Sequence, residues 1–159
     1  MRSSFILTAV LGATLAGAAS AADVTIYYSP TCPHCHHARE FIENKLVYEY
    51  PSINVTEVNV TLPEHQGAFS DALKKCEYKS GGVPVIVIGD KCFQGYADYM
   101  QTELRDAVEV DMSEDNKTFA KNVISEMDKD AEAYRSSHKS EAATITEYTA
   151  ESADEKKNK

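Results

Sequence analysis

Cys32-Pro33-His34-Cys35 is the segment of this 159-residue chain with the clearest capacity for chemistry. It directly follows a β-rich run, VTIYYS at 24–29, and it opens a helical pattern with Ala38, Phe41, Ile42 and Lys45 at helical spacing. Position supplies the physics. Cys32 falls at the helix start, where unpaired N–H groups and the macrodipole favour a negative thiolate. Pro33 suits the first turn because its missing N–H would have no partner there. Cys35 lies on the same helix face, within reach of Cys32. His34 places a tunable positive charge beside the pair. Such surroundings lower a thiol pKa from about 8.5 to roughly 3.5–7. A stabilised thiolate is a good leaving group, so the chemistry implied is thiol–disulfide exchange. Cys32 is the exposed nucleophile in this reading, Cys35 the buried resolver and His34 the tuner. A purely structural bridge is the weaker reading, because so short a loop constrains little chain entropy.

The same letters fit a second class. Cys35-His36 completes C-x-x-C-H, the attachment pattern of c-type haem, with His36 as proximal ligand and Met100 or Met112 as its partner. The two cysteines with His34, His36 or His37 would also suit zinc or copper(I). A haem or metal carrier is therefore the alternative function. The β-run directly before Cys32 weighs against haem, metal capture reads as adventitious, and no resident metal is expected. His36, His37 and His65 otherwise read as ordinary polar side chains.

The elements that must hold this segment read as β-α-β-α-β-β-α. The second strand covers 53–60 (INVTEVNV), parallel to the first by the right-handed crossover rule. Thr61-Leu62-Pro63-Glu64 matches a capping box for a helix running to about Cys76, with Phe69, Ala72, Leu73 and Cys76 inward. Ser80-Gly81-Gly82 breaks the chain before Val83-Pro84, a tolerated place for proline at a strand start. The apolar run 85–88 (VIVI) is a strand covered on both faces, Gly89-Asp90 a tight turn, and 91–94 the returning strand. A helix over 98–110 buries Met100, Leu104, Ala107 and Val108. This predicts an α/β domain over 23–110 with a four-stranded mixed sheet flanked by helices.

Composition bounds the rest. The net charge of −9, with no cluster of Lys and Arg, excludes a nucleic-acid binder. Residues 1–21 read as a signal peptide: Arg2, an apolar run over 5–19, then Ala19-Ser20-Ala21 as the small-x-small cleavage pattern. The run is short for a membrane span, which needs about 20 residues, so no stable membrane insertion is expected after cleavage. The Ala-rich run fits a bacterial chain secreted to the periplasm, where disulfides form and persist. Beyond 110 the chain lacks Gly, Pro and Cys. Residues 111–135 read as an acidic amphipathic helix carrying Phe119, Val123, Met127 and Tyr134, and 136–159 as a solvated, disordered tail.

The segments VTIYYSPTCPHC and GGVPVIVIGDKCFQGYAD resemble the thioredoxin superfamily, and within it the glutaredoxin-like proteins. The resemblance spans about 23–110. It implies a thioredoxin-like fold with a cis Pro84 facing the C-x-x-C, and a thiol–disulfide oxidoreductase whose cofactor is its own Cys32–Cys35 disulfide. Val83, Pro84 and Pro33 would form the platform for substrate, with the Val83 main chain pairing to it. Asp98 matches a position that helps hold glutathione in the family, Gly95 would line the substrate site beside it, and glutathione is the candidate small ligand. Pro30 stands where the family usually has Lys, and Gln94-Gly95 where it has Gly-Gly. The CPHC dipeptide is similar to that of the periplasmic oxidase DsbA. Protein substrates bearing thiols or disulfides, and a separate redox partner, follow from the resemblance. By the same fold analogy Cys76 and Cys92 come close enough for a structural disulfide; two buried thiols are the other option.

Overall fold

The computed structural model describes residues 22–151. The proposed signal peptide, at 1–21, lies outside the described residues, as does the end of the predicted tail.

The domain is built on a five-stranded mixed sheet, ordered β4-β3-β1-β2-β5. β1 (Asp23–Tyr28) is central, parallel to β2 (Asn54–Asn59) and antiparallel to β3 (Val85–Ile88). β4 (Lys91–Gln94) returns antiparallel on β3, with Val87 opposite Cys92 and Val85 opposite Gln94. β1 alternates because alternate residues meet different layers: Val24, Ile26 and Tyr28 are buried on one face. All four residues of β3 are buried, as an apolar run covered on both faces should be.

One face carries α1 (Pro33–Phe41), the short α2 (Val47–Glu49), α4 (Gln101–Val108) and α5 (Glu114–His138). Ala38, Phe41, Ile42, Leu46, Leu104, Val108 and Ala120 join Ile26, Val55, Ile86 and Ile88 in the main core. The other face carries α3 (Gln66–Lys75), whose Phe69 packs with Val85 and Val87 and lies 5.7 Å, ring to ring, from Tyr27.

Four local expectations need correction. Lys45 does not continue the buried stripe of α1: a π-helical turn over Ile42–Leu46 widens the helix, so Leu46 takes the inward place and Lys45 is exposed. The Thr61–Glu64 capping box does not form. Asn59 captures Thr61 instead, its Oδ1 accepting from Thr61 N at 3.0 Å and Thr61 Oγ1 at 2.7 Å, and the helix enters through a 3₁₀ turn at Pro63–His65. The helix beyond 110 is broken at Asp130, whose extended backbone (φ −158°) and Oδ1 bond to Ala133 N at 3.0 Å restart it. Phe119 on this helix is exposed, while Val123 and Met127 are buried.

The sheet has five strands rather than four because the described part of the predicted tail, 136–151, is structured. α5 runs on to His138, and β5 (Ile145–Glu147) adds to β2 in parallel. The chain is fastened on arrival and departure: Ala143 N donates to Val47 O at 2.9 Å and Tyr148 N to Glu57 O at 2.8 Å. Tyr148 meets the buried His65 edge-on at 4.9 Å.

Two buried carboxylates tie helices to this framework. Glu57, on β2, takes both ends of the Arg39 guanidinium at 3.0 and 2.6 Å, and Arg39 lies 4.4 Å over the Tyr28 ring. Glu49 takes Arg105 at 2.7 Å twice. Planar two-point pairing of this kind satisfies a buried carboxylate where a point charge would not.

Candidate active site

The carboxyl end of β1 delivers Ser29 and Pro30 to a turn closed by the Cys32 N–H donating to Ser29 O at 3.1 Å. Cys32 is then the N-cap of α1, with extended backbone (φ −91°, ψ 116°) and Pro33 in the first turn. Its sulfur takes the place of the usual capping oxygen: Cys35 N donates to Cys32 Sγ at 3.1 Å. A free helix N–H aimed at that sulfur favours its thiolate over its thiol. Cys32 and Cys35 are joined as a disulfide, Cα to Cα 5.2 Å. Cys32 is half-buried, whereas Cys35 is 1% exposed, so an incoming sulfur reaches Cys32 and not Cys35.

Opposite them, Val83–Pro84 is a cis peptide. Pro84 is buried at the entry to β3, and Val83 O lies 3.6 Å from Cys32 Sγ. Gly95, in the left-handed region at φ +82°, follows β4 and donates its N–H to Pro84 O at 2.7 Å. The structure therefore brings together Cys32, Cys35, Val83, Pro84 and Gly95. Pro33 and His34 are exposed on the first turn. Asp98 is also exposed, beginning a 3₁₀ turn; its Oδ1 is within 3.4 Å of Gln101 Nε2. Beneath the site Tyr96 is buried and stacks on Phe41 with centroids 6.0 Å apart. Burial pushes the Tyr96 phenol up, and the hydroxyl accepts from Gln101 Nε2 at 2.9 Å.

His36 and His37 are exposed and both reach Glu40, at 3.2 and 3.4 Å. Met100 and Met112 pack partly buried against the main core. Among the described residues, no group of three or more His, Cys, Asp or Glu is arranged to hold a metal ion. Among the same residues no helix is long and apolar enough to cross a membrane.

Cys76 and Cys92 are joined as a second disulfide, Cα to Cα 5.7 Å. It fastens the end of α3 to β4, directly before the loop that leads to Val83. Two supporting features escaped sequence reasoning. Gln94 Nε2 donates to Ser80 O at 3.0 Å and Gly82 O at 3.1 Å, and the Arg39–Glu57 pair anchors α1 behind the cysteines. The only signal for the first was a glutamine in place of the family's glycine.

A cysteine-capped helix on the central strand, faced by a cis proline that opens the neighbouring strand, is the arrangement that the sequence resemblance to the thioredoxin superfamily implies. The comparisons narrow this further. Residues 24–93 match the family model for glutaredoxin, and the cysteine pair within them has C-x-x-C spacing. Among solved structures it is similar to a glutaredoxin from Archaeoglobus fulgidus, with 26% identity and a TM-score of 0.42, covering 53% of this chain and 86% of that one. No curated protein matches. The family and the cysteine pair support a thiol–disulfide redox function.

Proposed function

We propose that the protein is an exported thiol–disulfide oxidoreductase that exchanges disulfides with protein substrates through Cys32. The observation that carries this is the half-buried Cys32 sulfur, which accepts the Cys35 N–H at 3.1 Å and lies 3.6 Å from the main-chain carbonyl of Val83.

The steps follow from that geometry. A substrate thiolate attacks Cys32 Sγ; the Cys32–Cys35 bond breaks, and its electron pair leaves on Cys35, which takes up a proton. The substrate is now joined to Cys32. A second substrate thiolate attacks the substrate sulfur of that bond and releases Cys32 as a thiolate held by the helix N–H. The substrate is oxidised by two electrons and the cysteine pair reduced by two. Run backwards, with Cys35 as resolver, the same steps reduce a substrate disulfide. The CPHC dipeptide favours the oxidising direction, and an unidentified redox partner reoxidises the pair. Val83 offers its main chain to an extended substrate segment, in the manner of strand addition. Glutathione is the candidate small substrate, with Gly95 and Asp98 nearest in sequence to that role.

Export is supported by the apolar leader ending in Ala19-Ser20-Ala21 and by the second cystine, which suits an oxidising compartment such as the bacterial periplasm. The test of activity is insulin reduction by the mature chain with dithiothreitol or glutathione, beside Cys32→Ala. Turnover well above the variant is expected; equal rates would refute the proposal.

A further inference from the structure

We propose that Gln94 is a positioning residue that presets the Val83 main chain for a substrate backbone; this rests on the exchange chemistry proposed above. The segment before Val83 is Ser80-Gly81-Gly82, and all three residues are exposed. Paired glycines have the widest backbone freedom of any dipeptide, so such a segment does not hold its shape unaided. Its two ends are fixed. Upstream, the Cys76–Cys92 disulfide ties the end of α3 to β4, and Tyr78 N donates to Leu73 O at 2.9 Å. Downstream, Gly95 N donates to Pro84 O at 2.7 Å.

Gln94 grips the stretch between. It ends β4 opposite Val85, and its amide nitrogen donates to Ser80 O at 3.0 Å and Gly82 O at 3.1 Å. An amide NH₂ has two protons, so both are used, and the two carbonyls flanking Gly81 are drawn to one point. The fit is close: a Cβ placed on Gly82 would meet Gln94 Nε2 at 3.4 Å. Val83 is the next residue, and its carbonyl faces Cys32 Sγ at 3.6 Å. Without the clamp, a substrate strand pairing with Val83 would have to order the glycines itself. That cost falls on binding rather than on the sulfur chemistry, because the β1–α1 junction sets the Cys32–Cys35 geometry independently.

Two variants test this. Gln94→Ala removes the donors, and Gln94→Glu keeps the size but presents an acceptor to two carbonyls. With a cystine-containing peptide as substrate, both should raise KM about five- to tenfold, roughly 1–1.4 kcal/mol at 1.4 kcal/mol per decade, with kcat within twofold. Backbone ¹⁵N order parameters at 80–83 should fall, while those of β1 and α1 stay as in wild type. An unchanged KM, unchanged order parameters at 80–83, or a fall in kcat that merely tracks a lower Tm would overturn the inference. Wild type no faster than Cys32→Ala would instead sink the exchange chemistry. The order parameters at 80–83, read without substrate, tell that failure from failure of the clamp.

Discussion

Removing the second disulfide, as Cys76→Ala/Cys92→Ala with Cys32–Cys35 left intact, isolates what it contributes. The two residues are 16 positions apart. A cross-link closing a loop of that size withholds about 10 cal/mol/K of entropy from the unfolded chain, or about 3 kcal/mol at 25 °C. Both residues are only part-buried and pack at the edge of the smaller core, so the folded state gives up little contact in exchange. For a domain of this size, about 3 kcal/mol corresponds to roughly 10 °C in Tm. Urea unfolding under non-reducing conditions is the assay. The midpoint should fall, and the m-value should rise slightly, because an uncross-linked chain exposes more surface when unfolded. A loss under about 1 kcal/mol with an unchanged m-value would refute the entropic account.

Further predictions concern the site and its supports. Cys35→Ser should accumulate a covalent Cys32–substrate adduct visible by mass spectrometry, because the resolver is gone, whereas Cys32→Ser should trap none. In the reduced protein, thiolate absorbance should titrate Cys32 below the free-thiol value of about 8.5; a value at or above it would contradict the helix-start argument. Arg39→Met leaves the 1%-exposed Glu57 without its cation and should cost about 3 kcal/mol, with much of this recovered in Arg39→Met/Glu57→Leu; denaturation of the three proteins decides it. Partial burial, reinforced by Glu57, raises the Glu147 carboxyl above the ordinary glutamate value of 4.5. The folded state therefore binds the proton more tightly, and stability falls as pH rises through the window above 4.5. Glu147→Gln should thus raise Tm at pH 7 and not at pH 4, and a Tm raised equally at both would count against it.

What could be read in the sequence was what local pattern determines. VTIYYS alternates, VIVI is apolar throughout, and a C-x-x-C between strand and helix carries its own chemistry. The central sheet and the cysteine pair followed from these. Contacts made across space were not legible. Thr61 matches a capping box letter by letter, but Asn59, two residues earlier, competes for it and wins. Glu57 sits in a strand that sequence alone would half expose, and its partner Arg39 is 18 residues away on another element. Residues 145–147 (ITE) carry no strand signal strong enough to stand out from a polar tail; the free edge of β2 recruits them. Gln94 was visible only as a departure from glycine, since its meaning depends on a loop that passes close by in the fold.

The fifth strand also sets an order on biosynthesis. The bond from Thr146 Oγ1 to Val55 O joins positions 91 residues apart, while β1 through β4 are complete by Gln94. Contacts of such long sequence separation are slow to form, and this one cannot form until residue 146 has emerged. Until residues 145–147 arrive, the outer edge of β2 is a row of unpaired amides ready to recruit a neighbour. That edge is closed by residues more than a hundred positions away from the cysteine pair.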